Sequence, residues 1–243
     1  MPDLWCLPIT GVHRLNIGLD KIGENFAMRP LAVWTLGLAL VVGACAGSNE
    51  MAKKNMAHAH MGHVTKGWND TPDKKGLLLT AIAESKVAAQ HAGFAASKPD
   101  NLNWMKTHTH HVLHAVDPSL ENKGPGLGYG VVRGATGCAK HIEFAANSDG
   151  ASDNVKAHAV HVATACNNTV ARAKEIIAVG DNILAANDAA AAAPHVKKLK
   201  MLSDQLLTGA DANGDGKITW QKGEGGLNEA DKHMGFMAKG EGM

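Results

Sequence analysis

Apolar residues recur at helical spacing along most of the chain, and the alternation typical of β-strands is nearly absent. Turn signals separate four such stretches. One is the Asp117-Pro118 step, where proline disfavours a helical conformation in the residue before it. The pattern therefore predicts an all-α fold, with helices at about 76–97, 102–116, 131–146 and 153–186.

The connections predict how these helices are arranged. Short turns join the first helix to the second and the third to the fourth, whereas a glycine-rich segment over 124–130 joins the two pairs. Two hairpins with one longer connection are typical of a four-helix up-down-up-down bundle. We expect this bundle over residues 71–187. An alanine-rich linker and a second module are expected over 188–243.

Histidine is unusually frequent, with 14 copies against one tyrosine and four phenylalanines. Neutral imidazole is the commonest metal ligand among side chains, so clusters at helical spacing indicate metal binding. The clusters lie at His58, His60 and His63, at His108, His110, His111 and His114, and at His158 and His161.

Four histidines border the apolar stripes of the four predicted helices: His91, His108, His141 and His158. Each stands at nearly the same distance from its hairpin turn, roughly 13 Å at 1.5 Å per residue. We therefore expect one bundle site for a transition metal, copper or zinc, with one ligand from each helix. The alternative is that these are half-buried histidines bonded to backbone carbonyls. His110 and His114 are expected to face outward.

The segment before the bundle is rich in methionine and histidine and has no core pattern. Thioether sulfur favours Cu(I), and imidazole accepts copper, zinc or nickel. A soft-metal tether is one interpretation and a solvated linker is the other. The candidate ligands are Met56, His58, His60, Met61 and His63.

The front of the chain carries a short apolar run that ends in small residues and a cysteine, MRPLAVWTLGLALVVGAC over residues 28–45. The run is shorter than the roughly 20 residues that a membrane span requires. Its end resembles a bacterial lipobox, which implies a signal peptide over 1–44, lipidation of Cys45 and a tether over 45–70. Met28 is the expected start. By resemblance, the protein would sit on the periplasmic face of the outer membrane. An ordinary signal peptide cut nearby is the alternative.

Cys138 and Cys166 would then be the remaining cysteine pair. Both are expected to point into the core, at heights that differ by about one helical turn, near 5 Å. Two buried free thiols that act as small hydrophobic groups are therefore the main expectation. A disulfide would require the helices to shift.

The C-terminal segment that starts at Asp211 resembles an EF-hand calcium loop over nine positions, flanked by helices at about 199–208 and 227–238. The departure is at the twelfth position, where the family has a bidentate glutamate and this chain has Lys222. Glu224 follows two residues later. The resemblance implies Ca²⁺ binding, and a metal-free, self-capped turn is the alternative. The implied ligands are Asp211, Asn213, Asp215, Lys217 through its carbonyl, Thr219 and Glu224.

The net charge and the sequence motifs narrow the classes of function that the chain could have. A net charge of +1 gives no electrostatic footprint for nucleic acid. The sequence has no nucleophile elbow, phosphate-binding glycine loop, His-Glu-x-x-His or Cys-x-x-Cys-His. We therefore expect a metal-binding lipoprotein rather than an enzyme, anchored to the membrane through its lipid. A haem or di-iron centre is one alternative, although only Glu84 points inward as a carboxylate. A structural lipoprotein is the other.

Overall fold

The computed structural model describes residues 56–243. The predicted signal peptide, the start at Met28, Cys45 and the first residues of the tether lie outside the described residues. The described part contains helices and no strand, which confirms the all-α prediction. A short 3-10 helix, Pro72–Lys74, follows the first α-helix. The α-helices are α1 over residues 56–65, α2 Leu77–Ala96, α3 Leu102–Val116, α4 Val131–Asn147, α5 Asp153–Ala185, α6 Ala189–Thr208 and α7 Leu227–Gly240.

Local sequence signals account for several helix starts. The side chain of Asn101 accepts a hydrogen bond from the backbone N–H of Trp104 at the start of α3, at 2.9 Å. Ser152 caps α5 and Asp188 caps α6 in the same way. Each cap satisfies a backbone donor that the first helical turn leaves without a partner. The starts of α3 and α5 agree with the turn signals in the sequence, whereas α6 begins about ten residues before the helix expected at 199.

The long helix α5 lies at the centre of the packing and contacts α3, α4, α6 and α7. The alanine-rich segment expected to be a linker forms the first turns of α6, which packs along α5 and α2. Helix α7 also packs against α5. The C-terminal residues are therefore part of the same packed body as α2–α5. Within the described residues, no helix has the length and apolar character that a membrane span needs.

The buried apolar residues form two clusters that share α2 and α5. One joins α1, α4 and α7 to the N-terminal halves of α2 and α5. The other joins α3 and α6 to their C-terminal halves. Many of the buried positions are alanine, so the helix backbones can approach closely. At Gly180, which continues α5 without a break, an added Cβ would lie 2.8 Å from Leu113 of α3.

Glu84 organises the glycine-rich connection between α3 and α4. Its fully buried carboxylate accepts hydrogen bonds from the backbone N–H groups of Leu127, Tyr129 and Gly130, at 3.1, 2.8 and 3.0 Å. Charge-assisted bonds of this kind are stronger than neutral ones. The one inward carboxylate predicted from the sequence therefore serves to hold a loop against α2.

The two cysteines meet between α4 and α5. Both are fully buried and free, with their sulfur atoms 3.0 Å apart. The hydrogen bond with Cys166 and burial together raise the pKa of the Cys138 thiol. The expected height difference of one helical turn is wrong, because the two helices bring the thiols into direct contact.

Candidate metal centres

Three groups of three histidines converge in the described residues, and each group could hold a metal ion. In every group the three candidate ligand atoms lie within 4.8 Å of one another. We name them site 1 (His60, His63 and His141), site 2 (His91, His108 and His111) and site 3 (His158, His161 and His233).

Each site has the same construction. Two histidines three residues apart come from one helix, and the third comes from a different helix. Residues at i and i+3 are neighbours on a helix surface, so the two paired side chains project from the same face of their helix. We call the third residue the hub histidine. Site 1 joins α1 to α4, site 2 joins α3 to α2, and site 3 joins α5 to α7.

In all three sites the hub Nδ1 atom approaches the Nδ1 atoms of both paired histidines. The two distances are 3.2 and 3.2 Å around His141, 2.9 and 3.1 Å around His91, and 3.0 and 3.2 Å around His233. Two nitrogen ligands of one tetrahedral or trigonal metal, each at about 2.0–2.1 Å, are about 3.3–3.6 Å apart. The distances from hub to paired histidines are therefore only about 0.1–0.7 Å shorter than a bound metal would require.

The ring orientations also repeat. The angle between the hub ring and the first paired ring is 42°, 33° and 40° in sites 1, 2 and 3. The two paired rings are nearly perpendicular, at 84°, 78° and 82°. The same arrangement therefore occurs three times on three different helix pairs.

Aromatic rings surround each site. A phenylalanine three residues after the hub packs against the hub and the first paired histidine, at centroid distances of 5.3–5.9 Å. A tryptophan packs against at least one ligand ring of each site, at 4.1–4.7 Å. The pairs are Phe144 with Trp68 at site 1, Phe94 with Trp104 at site 2, and Phe236 with Trp220 at site 3. These six are all the phenylalanines and tryptophans of the described residues.

The three hub histidines favour the neutral form that binds metals. Burial, followed by the nearby His111 and His108, lowers the pKa of His91 to about 4. Burial is also the main cause that lowers the pKa of the other hub histidines, His141 and His233. Neutral rings at neutral pH leave ring-nitrogen lone pairs available for a cation.

Site 3 has an additional carboxylate. Oε1 of Glu229 lies 3.3 Å from Nε2 of the hub His233, one helical turn away. A carboxylate at this nitrogen favours the tautomer with hydrogen on Nε2 and the lone pair on Nδ1. Nδ1 is the atom that faces the other two rings of the site.

The structure does not bring His91, His108, His141 and His158 to one centre. His91 and His108 do meet across the first hairpin, with Nδ1 atoms 2.9 Å apart. His141 instead joins α1, and His158 joins α7. The expectation of a single layer fails because α1 and α7, which were expected to lie outside the bundle, pack onto it and supply ligands.

The tether residues divide between several environments. His60 and His63 lie on α1 and belong to site 1, whereas Met61 is buried in the core. His58 contacts Glu241 through Nε2, at 3.0 Å. Met56 is exposed. The described end of the tether is therefore a packed helix, because Met61 and its apolar neighbours face the core.

Three site residues were not among the ligands predicted from the sequence: His111 and His161, which were noted only as members of histidine clusters, and His233. The first two follow another site histidine by three residues, so the His-x-x-His spacing could have found them. His233 begins a His-x-x-Phe sequence that also starts at His91 and His141. The His-x-x-Phe spacing occurs three times and marks the hub histidines, whereas His-x-x-His occurs four times, three of them at the sites.

The pair expected to face outward does so only in part. His110 is exposed and contacts Glu121 at 2.6 Å. His114 is buried, and its ring bonds to the carbonyl of the same Glu121 at 2.7 Å. These two histidines hold the loop after α3 in place and are not among the three sites.

The C-terminal loop folds around its own carboxylates. Asp211 accepts hydrogen bonds from the backbone N–H groups of Gly214, Asp215 and Gly216. The buried Glu224 accepts a bond from the Asn213 side-chain amide, at 2.7 Å, through one oxygen. Its other oxygen accepts two from Thr219, at 2.9 Å from the backbone and 2.6 Å from the hydroxyl. Glu224 thus reaches the loop interior although it stands two positions beyond the expected place.

Helix α5 fixes the end of this loop. The guanidinium of Arg172 donates to the carbonyls of Gly223, Glu224 and Gly225. Asn168 contacts the same segment, since its oxygen accepts from the backbone N–H of Gly223 at 2.8 Å. Burial lowers the pKa of Arg172. The loop and the helix that carries two of the three site 3 ligands are therefore joined directly.

Comparison with known proteins leaves the chain without an assigned family. A scan of protein-family models found no match, and searches of curated proteins and of solved structures found no significant similarity.

Proposed function

We propose that this protein binds three transition-metal ions, copper or zinc, one at each of sites 1–3, in order to sequester or deliver them. The observation that carries this proposal is the repeated convergence of three imidazole Nδ1 atoms. Binding is favoured over catalysis, because the three sites are alike and each is flanked by aromatic rings.

Hydrogen bonding between histidines does not account for this geometry. A neutral Nδ1 atom offers either one hydrogen or one lone pair. Each hub Nδ1 nevertheless faces two other Nδ1 atoms at 2.9–3.2 Å, so one of its two contacts lacks a full hydrogen bond. A metal ion satisfies all three lone pairs at once. Without an ion the arrangement leaves a hydrogen-bonding contact unsatisfied, and with an ion all three nitrogen lone pairs are used. This supports metal binding.

The haem and di-iron alternatives have less support. The rings of each site are too close together for a porphyrin to enter between them, with centroids 4.5–5.6 Å apart. Di-iron sites normally use several inward carboxylates. Glu84 bonds instead to three backbone N–H groups.

The test is a metal titration of the purified protein with elemental analysis. We expect three equivalents of copper or zinc per chain. His91→Ala, His141→Ala and His233→Ala should each leave two equivalents, and the triple variant none. His195→Ala, outside the three sites, is the matched control and should keep three. Binding of three equivalents by the triple variant would contradict the proposal.

We also propose that the loop between α6 and α7 is an EF-hand-like calcium site beside a four-helix bundle of α2–α5. The position of the Glu224 carboxylate supports this, since it reaches into the loop and can replace the glutamate that the EF-hand family has at the twelfth position. Glu224→Gln should abolish Ca²⁺ binding measured by calorimetry and leave the three histidine sites intact. Equal Ca²⁺ affinity in the variant would refute this role.

We further propose that lipidated Cys45 anchors the protein on the periplasmic face of the outer membrane. The lipobox-like sequence is the support for this. Cells grown with labelled fatty acid should incorporate label into the protein but not into Cys45→Ser. Label in the variant would refute the anchor.

A further inference from the structure

We infer that the metal held at sites 1–3 is monovalent copper, selected by the aromatic rings around each histidine triad. This inference rests on the proposed metal binding and names its metal. It depends on the donor set, on the burial of the sites and on where the phenylalanines lie.

The donor set carries no charge. The three converging groups in the described residues consist of histidine alone, with no carboxylate or thiolate ligand. The ligands themselves therefore do not neutralise a bound ion, whose charge is +1 for Cu(I) and +2 for Zn²⁺ or Cu²⁺, and only site 3 has a carboxylate in contact with its hub histidine among the described residues. Burying an ion costs desolvation free energy, and this cost increases with the charge of the ion. Half-buried neutral ligands thus favour the monovalent ion.

The surroundings of site 2 increase this preference. Lys98 places its ammonium 3.6 Å from the ring centroid of Trp104, which packs against His108. This ammonium is a positive charge close to the site, and it would repel a divalent ion more strongly than a monovalent one. Site 2 is therefore the most informative site for a test.

The number of ligands points in the same direction. Zn²⁺ is almost always four-coordinate, and a site with three protein ligands adds a water. Cu²⁺ prefers tetragonal geometry with four or more ligands. Cu(I) has the same closed d shell as Zn²⁺ but only one positive charge, and it is satisfied by three ligands. Phenylalanine and tryptophan rings pack against the ligand rings of each triad and occupy part of the space around them.

The phenylalanines lie where protein cores would not place them. Phe94, Phe144 and Phe236 are 40%, 52% and 47% exposed, yet each packs edge to face against a hub histidine and also contacts its first partner. An exposed ring gains little from burial, so its position requires another reason. Shielding a bound ion from water and oxygen supplies that reason. The tryptophans add electron-rich faces, which attract cations.

The experiment isolates site 2 in the full chain by replacing the hub histidines of sites 1 and 3 with alanine. Cu(I) and Zn²⁺ affinities are then measured without oxygen, by competition with coloured chelators. We expect Cu(I) to remain bound against a hundredfold excess of Zn²⁺. In this background Phe94→Ala and Trp104→Leu should each weaken Cu(I) binding by about 5- to 30-fold, the range of a desolvated cation–π contact.

The same variants should speed the oxidation of bound Cu(I) in air, and should leave Zn²⁺ binding unchanged or tighter, since water can enter as a fourth ligand. Leu120→Ala removes an equally exposed apolar side chain away from the triads and should change none of these values. Circular dichroism confirms that each variant is folded.

Displacement of Cu(I) by equimolar Zn²⁺ would overturn the copper assignment while leaving the proposed metal binding intact. Unchanged copper affinity and unchanged oxidation in both ring variants would overturn the role of the aromatic rings. Failure to bind either metal would instead refute the proposed function itself. The two failures are therefore distinguishable.

Discussion

Metal binding should stabilise this fold in three separate increments, because the three sites share no ligand and join different helix pairs. The perturbation to test is His91→Ala, which removes the hub of site 2 and leaves the other two triads complete. The variant keeps the paired ligands His108 and His111 on α3 but loses the ligand on α2. A metal can then no longer connect those two helices.

The magnitude follows from binding linkage. At a free metal concentration 100 times the dissociation constant, each site contributes about 2.7 kcal/mol to the free energy of unfolding. Three independent sites would contribute about 8 kcal/mol, and two would contribute about 5.4 kcal/mol. In a protein of this size, 1 kcal/mol shifts the melting temperature by about 2–4 °C. Each site should therefore raise it by about 5–11 °C.

The assay is calorimetric unfolding of the wild type and of His91→Ala, each with and without metal. Comparing the metal-induced shift within each protein removes any effect of the substitution on the metal-free fold. We expect the variant to keep about two thirds of the wild-type shift. A full shift would show that site 2 binds no metal. A complete loss would show that the sites are not independent, and either result would refute the reasoning.

Three further predictions concern single side chains. The folded state lowers the pKa of His91 from 6.5 to about 4, so the folded chain binds fewer protons than the unfolded chain between these pH values. The urea midpoint of the metal-free protein should therefore fall as the pH is lowered from about 6.5 to 4. The fall should be less steep in His91→Gln. Glu229→Ala should weaken metal binding at site 3 alone by about 10- to 100-fold in the chelator competition, and an equal loss at site 1 would contradict its role. Glu84→Ala should lower the free energy of unfolding by at least about 2 kcal/mol, measured by urea titration, since three backbone N–H groups, two of them buried, lose their acceptor.

Helices α2–α5 could be predicted closely from the sequence because their signals are local, whereas α1 and the first half of α6 were expected to be a tether and a linker. The prediction of a helix over 102–116 agrees with α3, and the start predicted at 153 agrees with α5. Caps, apolar spacing and proline positions are all read within a few residues. These signals fix an element without knowledge of its neighbours.

Contacts within the sites could be predicted only between consecutive helices that form a hairpin. His91 and His108 are 17 residues apart and belong to consecutive helices, so their meeting follows from the hairpin. The hub His141 is 78 and 81 residues from its partners, and His233 is 72 and 75 residues from its own. Which helices pack together over such separations depends on the whole core. Periodicity within one helix does not contain that information.

Trp220 gives the C-terminal loop a consequence for site 3. Its ring stacks on His161 at 4.1 Å, and it directly follows Thr219, which donates two hydrogen bonds to Glu224. A cation in the loop would bind the Glu224 carboxylate, which also accepts the hydrogen bonds from Thr219. It would thereby affect the position of the Trp220 ring, which lies against the site 3 ligand His161. Coupling between two binding equilibria is reciprocal, so any change that calcium makes in the copper affinity of site 3 must be matched by an equal change that copper makes in the calcium affinity of the loop.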